Sequence, residues 1–237
     1  MKKLFISTLI FSLCLNCLYA GNWPAWRGED ATGSTDSGNY PTELNLKKNL
    51  LWKASLPDKG CSTPIVWQDS IFLTCPINGE DGVLSFSLNG GKNWQTKIGL
   101  QRKGKHLNGS GSNPSLITDG RNLYALFKSG NLACLNRGGE ILWQKDLSSY
   151  GKDTLYWDFG TSPILSSKHV IVALMRKGNS WLLAFDPSSG EVAWKKERNY
   201  PTPPECDHSY ATPTLIKHKG KEAILVWGAE RLSAHSA

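Results

Sequence analysis

Long apolar runs are almost missing from this 237-residue chain. The only one is Leu4 to Leu15, and no stretch reaches the roughly 18 apolar residues that a membrane-spanning helix needs. Methionine occurs twice and cysteine six times, with Cys61, Cys75, Cys134 and Cys206 the four beyond the first twenty residues. Four cysteines in so long a segment do not make a disulfide scaffold, and none of those four sits in a Cys-x-x-Cys or Cys/His pattern with metal-ligand spacing. No Gly-x-Ser-x-Gly elbow, phosphate-binding Gly-rich loop or His-Glu-x-x-His pair is present. The chain therefore shows none of the common local signatures of hydrolases, nucleotide-binding enzymes or zinc peptidases.

The charge balance excludes little. Lys and Arg number 27 against 20 Asp and Glu, a formal net charge of +7. One basic cluster stands out, Arg102, Lys103, Lys105 and His106, without the interleaved aromatics of a nucleic-acid stripe; it reads as a solvated loop, and no nucleic-acid partner is expected. Residues 1–20 read as a secretory leader: Lys2 and Lys3, then a mostly apolar stretch of 12 residues from Leu4 to Leu15, then Leu18-Tyr19-Ala20 before Gly21. Leu13 and Asn16, which precede Cys14 and Cys17, are not the small residues that lipid attachment uses. The expectation is an exported bacterial protein, periplasmic or extracellular, with no transmembrane segment in the mature chain. Removing Lys2 and Lys3 with the leader lowers the net charge by two.

What the sequence has in quantity is a period. Pro64, Pro114, Pro163 and Pro213 are spaced by 50, 49 and 50 residues, each with a small or polar residue before it. Trp94, Trp143 and Trp194 follow the first three prolines by 30, 29 and 31 residues. Between each Pro and its Trp lie four short runs rich in β-branched and aromatic residues, bounded by turn chemistry such as Asp119-Gly120 and Asp186-Pro187-Ser188-Ser189-Gly190. Proline at the head of a strand breaks no ladder hydrogen bond. A four-stranded unit repeated about every 40–50 residues predicts an all-β propeller of antiparallel blades. The blades are expected near residues 61–98, 112–147, 160–198 and 210–237, after an extended segment over 21–48. The tryptophans are assigned to packing between blades.

The last unit has only three strands, while Asn49-Leu50-Leu51-Trp52-Lys53-Ala54-Ser55 reads as a lone outermost strand. Two arrangements follow: residues 49–55 close a four-bladed ring, or the chain is part of a larger propeller. Cys61 and Cys75 lie at the two ends of the first hairpin and would bridge if its register set them opposite one another.

Trp23-Pro24-Ala25-Trp26-Arg27-Gly28, Ser62-Thr63-Pro64-Ile65-Val66-Trp67 with Phe72-Leu73-Thr74, and the Gly139-Glu140-x-x-Trp143 and Gly190-Glu191-x-x-Trp194 turns resemble the secreted PQQ-like β-propeller repeat family. That family is similar in repeat pattern to quinoprotein dehydrogenases and to the outer-membrane assembly propeller lipoprotein. The resemblance implies seven or eight blades for a full-length member. It also implies, for the quinoprotein branch, a calcium ion and PQQ held by a Glu/Asn/Asp set under a disulfide between adjacent cysteines. This sequence has no adjacent cysteine pair, and no residue can be matched to that set, so no cofactor, metal or catalytic residue is assigned.

Function then has to lie on the rim, where the loops ahead of the prolines converge. These carry Lys59, His106 with Asn108, Trp157 with Asp158, and Asp207 with His208. His106, Asn108, Asp158, Asp207 and His208 are the candidate site residues, of a type able to bind a ligand or move a proton. Asn108-Gly109-Ser110 also matches the glycosylation acceptor pattern. The leading reading is a non-enzymatic binding scaffold for a protein or polysaccharide. A quinone-dependent dehydrogenase and an outer-membrane assembly subunit are the alternatives.

Overall fold

The structure is a computed structural model that describes residues 21–237 apart from 36, 37, 39, 205 and 207. The expected leader over residues 1–20 and the candidate Asp207 lie outside the described residues. The described residues are all-β, with one short 3-10 turn at Ser148–Tyr150. Blade 1 is β1 (Ile65–Trp67), β2 (Ser70–Thr74), β3 (Glu80–Ser87) and β4 (Lys92–Leu100). Blade 2 is β5 (Ile117–Thr118), β6 (Asn122–Leu126), β7 (Asn131–Asn136) and β8 (Ile141–Asp146). Blade 3 is β9 (Ile164–Leu165), β10 (Val170–Leu174), β11 (Trp181–Phe185) and β12 (Val192–Glu197). Blade 4 holds β13 (Thr214–His218), β14 (Lys221–Gly228) and β15 (Arg231–Ser236). Each sheet runs antiparallel in chain order, so the propeller-blade pattern read from the period is what the chain forms.

Burial follows the blade architecture. The middle strands are covered on both faces and read as continuous apolar runs: β10 is buried at every position and β11 at all but its first. The outermost strands β4, β8 and β12 are mostly exposed. One apolar cluster joins blades 1 and 2 through Phe72, Val83, Leu123 and Leu135. A second joins blades 2 and 3 through Tyr124, Cys134, Val172 and Leu183. A third joins blades 3 and 4 through Ile171, Leu182, Ile224 and Val226. Among the described residues no buried cluster joins blade 4 to blade 1.

The two ladders of the sequence are the two fastenings between blades. In each complete blade the register of the third and fourth strands slips by one residue just before the tryptophan, at Asn93, Leu142 and Ala193. A bulge re-aims the side chain that follows it. Trp94 Nε1 donates to Arg137 O at 2.9 Å, and Trp143 Nε1 to Pro187 O at 2.8 Å, each on the last hairpin of the next blade. The indole lies against a glycine there. Gly139 and Gly190 have φ of 92° and 69°, and a Cβ on either would fall 2.7 and 2.6 Å from the ring. Only glycine serves on both counts.

The second fastening follows the prolines. The Thr63 amide donates to Ser115 Oγ at 2.9 Å, Ser115 N to Ser162 Oγ at 2.9 Å, and Ser162 N to Thr212 Oγ1 at 3.0 Å. Small hydroxyl residues beside the prolines thus tie the heads of successive first strands together.

Residues 49–55 form no strand in the structure, and blade 4 is three-stranded, so this segment does not complete blade 4. Trp52 instead docks on blade 1, donating from Nε1 to Leu88 O at 2.8 Å and lying over Gly90. It repeats for blade 1 what Trp94 does for blade 2. Farther upstream, Trp23 exchanges two backbone hydrogen bonds with Val66, and its ring packs on Gly28.

The Cys61–Cys75 bridge is not formed. The β1–β2 register pairs Ile65 with Phe72 and Trp67 with Ser70, and continued outward it sets Ser62, not Cys61, opposite Cys75. Cys61 Sγ donates to Asn108 O at 3.3 Å and Cys75 Sγ to Asp58 O at 3.1 Å, both as free thiols.

Removing the Trp143 indole leaves a hole between blades 2 and 3, and Trp143→Ala should cost about 3–5 kcal/mol in a urea denaturation curve. A second prediction concerns Asp81, fully buried at the blade 1–2 junction. Burial drives its carboxyl up to about 6, although Ser129 Oγ and Asn131 Nδ2 donate to it. A carboxyl raised on folding favours the folded state when protonated, so its contribution falls as pH climbs from about 4 to about 6. Asp81→Asn should flatten that part of a plot of melting temperature against pH.

Candidate functional site

In an antiparallel four-stranded blade, the loop into the first strand and the hairpin between the second and third strands emerge on the same face. That face gathers residues 101–112, 147–163, 198–204 and 208–212 together with the hairpin tips at Pro76, Lys128 and Arg176. The sequence points to its loops, and the tips supply what the loops fold against.

Asp158 is the hub of this rim. Its side chain is buried and ion-paired with Lys128, whose Nζ also donates to Lys103 O at 2.7 Å. The Lys105 amide reaches both carboxylate oxygens at 2.9 and 3.0 Å, and the His106 amide reaches Oδ2 at 3.3 Å. Burial acts to raise the Asp158 carboxyl, but the hydrogen bond and charge of Lys128 and the two amides outweigh it and hold the group below the usual carboxylate range. Gly109 shows how closely the loop is drawn in, since a Cβ there would lie 2.1 Å from Asp158 Oδ2. Lys59 Nζ adds a tie to Leu107 O at 2.5 Å.

All four residues of the basic cluster are exposed, and Lys105 also ties their loop down. Lys105 Nζ donates to Leu155 O at 2.6 Å and pairs with Asp153 at 3.3 Å, so the loop over residues 101–110 is clamped to the entry loop of blade 3.

Above the hub lies a pocket of about 410 Å³ lined by His106, Asn108, Gly109, Asn113, Trp157 and Asp158. The Trp157 ring meets His106 edge-on at 4.8 Å on one side and Tyr156 edge-on at 4.8 Å on the other. The Asn108 amide donates to His106 Nδ1 at 3.2 Å, which leaves Nε2 as the protonated nitrogen of the neutral ring. Of the sequence candidates, His106, Asn108 and Asp158 come together. His208 does not line this pocket; its Nε2 lies 3.3 Å from Thr154 Oγ1. Lys128, Tyr156 and Asn113 complete the rim without having been read from the sequence. Lys128 did leave a signal, for a basic residue stands at the same place after the second strand in blades 2 and 3, as Lys128 and Arg176.

An acid whose lone pairs are taken by an ammonium and two amides is a weak base and a weak metal ligand. Among the described residues no three His, Cys, Asp or Glu side chains gather as a metal site. Among the described residues the one carboxylate that lines the pocket, Asp158, is already neutralised from within, which does not fit a quinone–calcium centre.

These features define a PQQ-like propeller-repeat protein. A family model described as outer membrane protein assembly factor BamB matches residues 42–212, and the chain belongs to that family. Among solved structures it is similar to quinohemoprotein alcohol dehydrogenase from Comamonas testosteroni, with 16% identity and a TM-score of 0.56 over 74% of this chain and 27% of that one. A europium-containing methanol dehydrogenase gives 15% identity and a TM-score of 0.54, over 74% of this chain and 31% of that one. BamB from Moraxella catarrhalis gives 12% identity and a TM-score of 0.44, over 71% and 43%. The chain thus spans less than half the length of each of these structures, and at such identities the likeness is one of fold. No curated protein matches it.

Breaking the hub from one side should be costly. Lys128→Met leaves Asp158 buried without its cation, and a loss of about 3–5 kcal/mol is expected. The same variant should free the clamped loop, read as faster trypsin cleavage after Arg102 and Lys103 than in the unaltered protein.

Proposed function

We propose that the protein is exported and serves as a non-enzymatic propeller-repeat scaffold whose rim pocket beside Trp157 binds a polysaccharide. The leader pattern of residues 1–20 supports export, and no described helix is long and apolar enough to cross a membrane. The carrying observation is the exposed aromatic pair, Tyr156 and Trp157, 68% and 53% accessible, standing beside a polar pocket. Large exposed rings are costly in water unless a partner covers them, and rings beside a few fixed polar groups are how concave sites hold ligands. A sugar ring offers an apolar C–H face to the indole and hydroxyls to His106 and Asn108. The free-energy gain comes from covering the ring, and direction comes from the polar groups.

The dehydrogenase reading has only the shared fold behind it, and one fold hosts many functions. A subunit for outer-membrane protein assembly is a second reading that draws on the family description; co-purification with outer-membrane assembly proteins would distinguish it.

Affinity electrophoresis in gels carrying bacterial exopolysaccharides tests the proposal. Retardation is expected, with Trp157→Ala weakening it about tenfold or more, as for a central aromatic anchor. Trp157 is half-exposed, so the variant should melt like the parent protein. Oxidation of an alcohol after reconstitution with quinone and calcium would overturn the non-enzymatic reading. Trp157-dependent capture of a protein, with no polysaccharide retarding the chain, would overturn the ligand class.

A further inference from the structure

Lys128 and Arg176 occupy equivalent places one repeat apart, but only Lys128 finds a carboxylate. Arg176 is 3% exposed, and among the described residues no acid pairs with it. One Nη donates to Gly151 O, the guanidinium sits 6.0 Å from the Phe159 ring centre, and Nε has no hydrogen-bond partner among the described residues. Asp153 is the carboxylate that attracts it, and that group is already engaged by Lys105 at 3.3 Å, while Arg102 adds a further positive charge.

A second buried guanidinium stands beside it. Arg198 is 1% exposed and donates to Ser233 Oγ, Gly228 O, Val226 O and Arg231 O at 2.9–3.2 Å. These acceptors, and Met175 Sδ at 3.7 Å, are all neutral, and among the described residues no carboxylate pairs with the guanidinium. Arg176 and Arg198 both line a pocket of about 240 Å³ at the junction of blades 3 and 4, together with Ser180, Asn199 and Thr202. Among the described residues no carboxylate lines it.

Two buried cations served by one nearby carboxylate that Lys105 already engages are expensive, and one of them carries an unused, buried donor. A guanidinium edge is shaped for an oxyanion. We propose that this pocket is an oxyanion-binding site, taking a carboxylate, sulfate or phosphate group of a ligand against the Arg176 guanidinium. Arg198 supplies long-range positive potential there and pins blade 4 through its four carbonyl and hydroxyl contacts. The site is separate from the Trp157 pocket and does not depend on the polysaccharide reading.

The test titrates the full chain with sulfate, inorganic phosphate and glucuronate at constant ionic strength set with sodium chloride, following heat release and melting temperature. Saturable binding is expected from at least one of the three, with stabilisation beyond that given by chloride. Which probe binds most tightly identifies the head group. Arg176→Met should abolish the saturable phase. Because a change in that hairpin can disturb the blade itself, Thr202→Glu provides an independent arm: a carboxylate at the pocket edge should weaken anion binding tenfold or more without lowering the melting temperature in chloride. Trp157→Ala should leave anion binding unchanged. Stabilisation no greater than that by chloride, or binding that survives both Arg176→Met and Thr202→Glu as an adventitious ion only, would overturn the proposal.

Discussion

Everything in this chain hangs on an indole meeting a glycine. Blades 1 and 2 each end in a bulged strand whose tryptophan leaves its own sheet, covers the last hairpin of the next blade, and donates a hydrogen bond to that hairpin's backbone. The Gly-Glu-x-x-Trp pattern is therefore two half-joints in one motif. Gly139 receives Trp94 from behind, while Trp143, four residues on, reaches forward to Gly190. Blade thickness, the apolar filling between sheets and the alignment of the hydroxyl ties near the prolines all depend on that spacing. A β-sheet with both faces covered has no polar face to orient it, so something directional has to set its neighbour's position. The indole does.

This explains which parts could be read in advance. Proline and tryptophan are tied to strand heads and blade junctions, so their period exposed the blades, and a glycine required by both φ and a ring contact kept the turn in register with them. The bulge left no mark in composition, because the extra residue is Asn93, Leu142 or Ala193 and only its position matters. Cys61 and Cys75 show the limit of hairpin arithmetic: the side chains of a strand pair alternate, and one residue of slip turned a candidate bridge into two thiols bonded to separate carbonyls.

The rim was half legible. Loops aligned on the prolines gave His106, Asn108 and Asp158, which do converge, and His208, which turns instead to Thr154. What was absent from that alignment was the second layer, the hairpin tips that reach the same face from a different part of each repeat. Lys128 there decides the state of Asp158, converting a potential base or ligand into a structural anchor. Arg176, its counterpart, meets no such acid. Repeats offer equivalent positions, and the identity of the partner decides whether each serves stability or recognition.

The hydroxyl ties carry a direction. In all three, the amide belongs to the earlier blade and the oxygen to the later one, and the indoles likewise reach from earlier to later. A ribosome delivers the chain in that same order. Each newly delivered sheet therefore waits, with its indole in water and its first-strand amide unmet, until the next repeat arrives to receive both. Assembly of such an array is a zipper fed from one end, and its most exposed moment always falls one repeat behind the point of delivery.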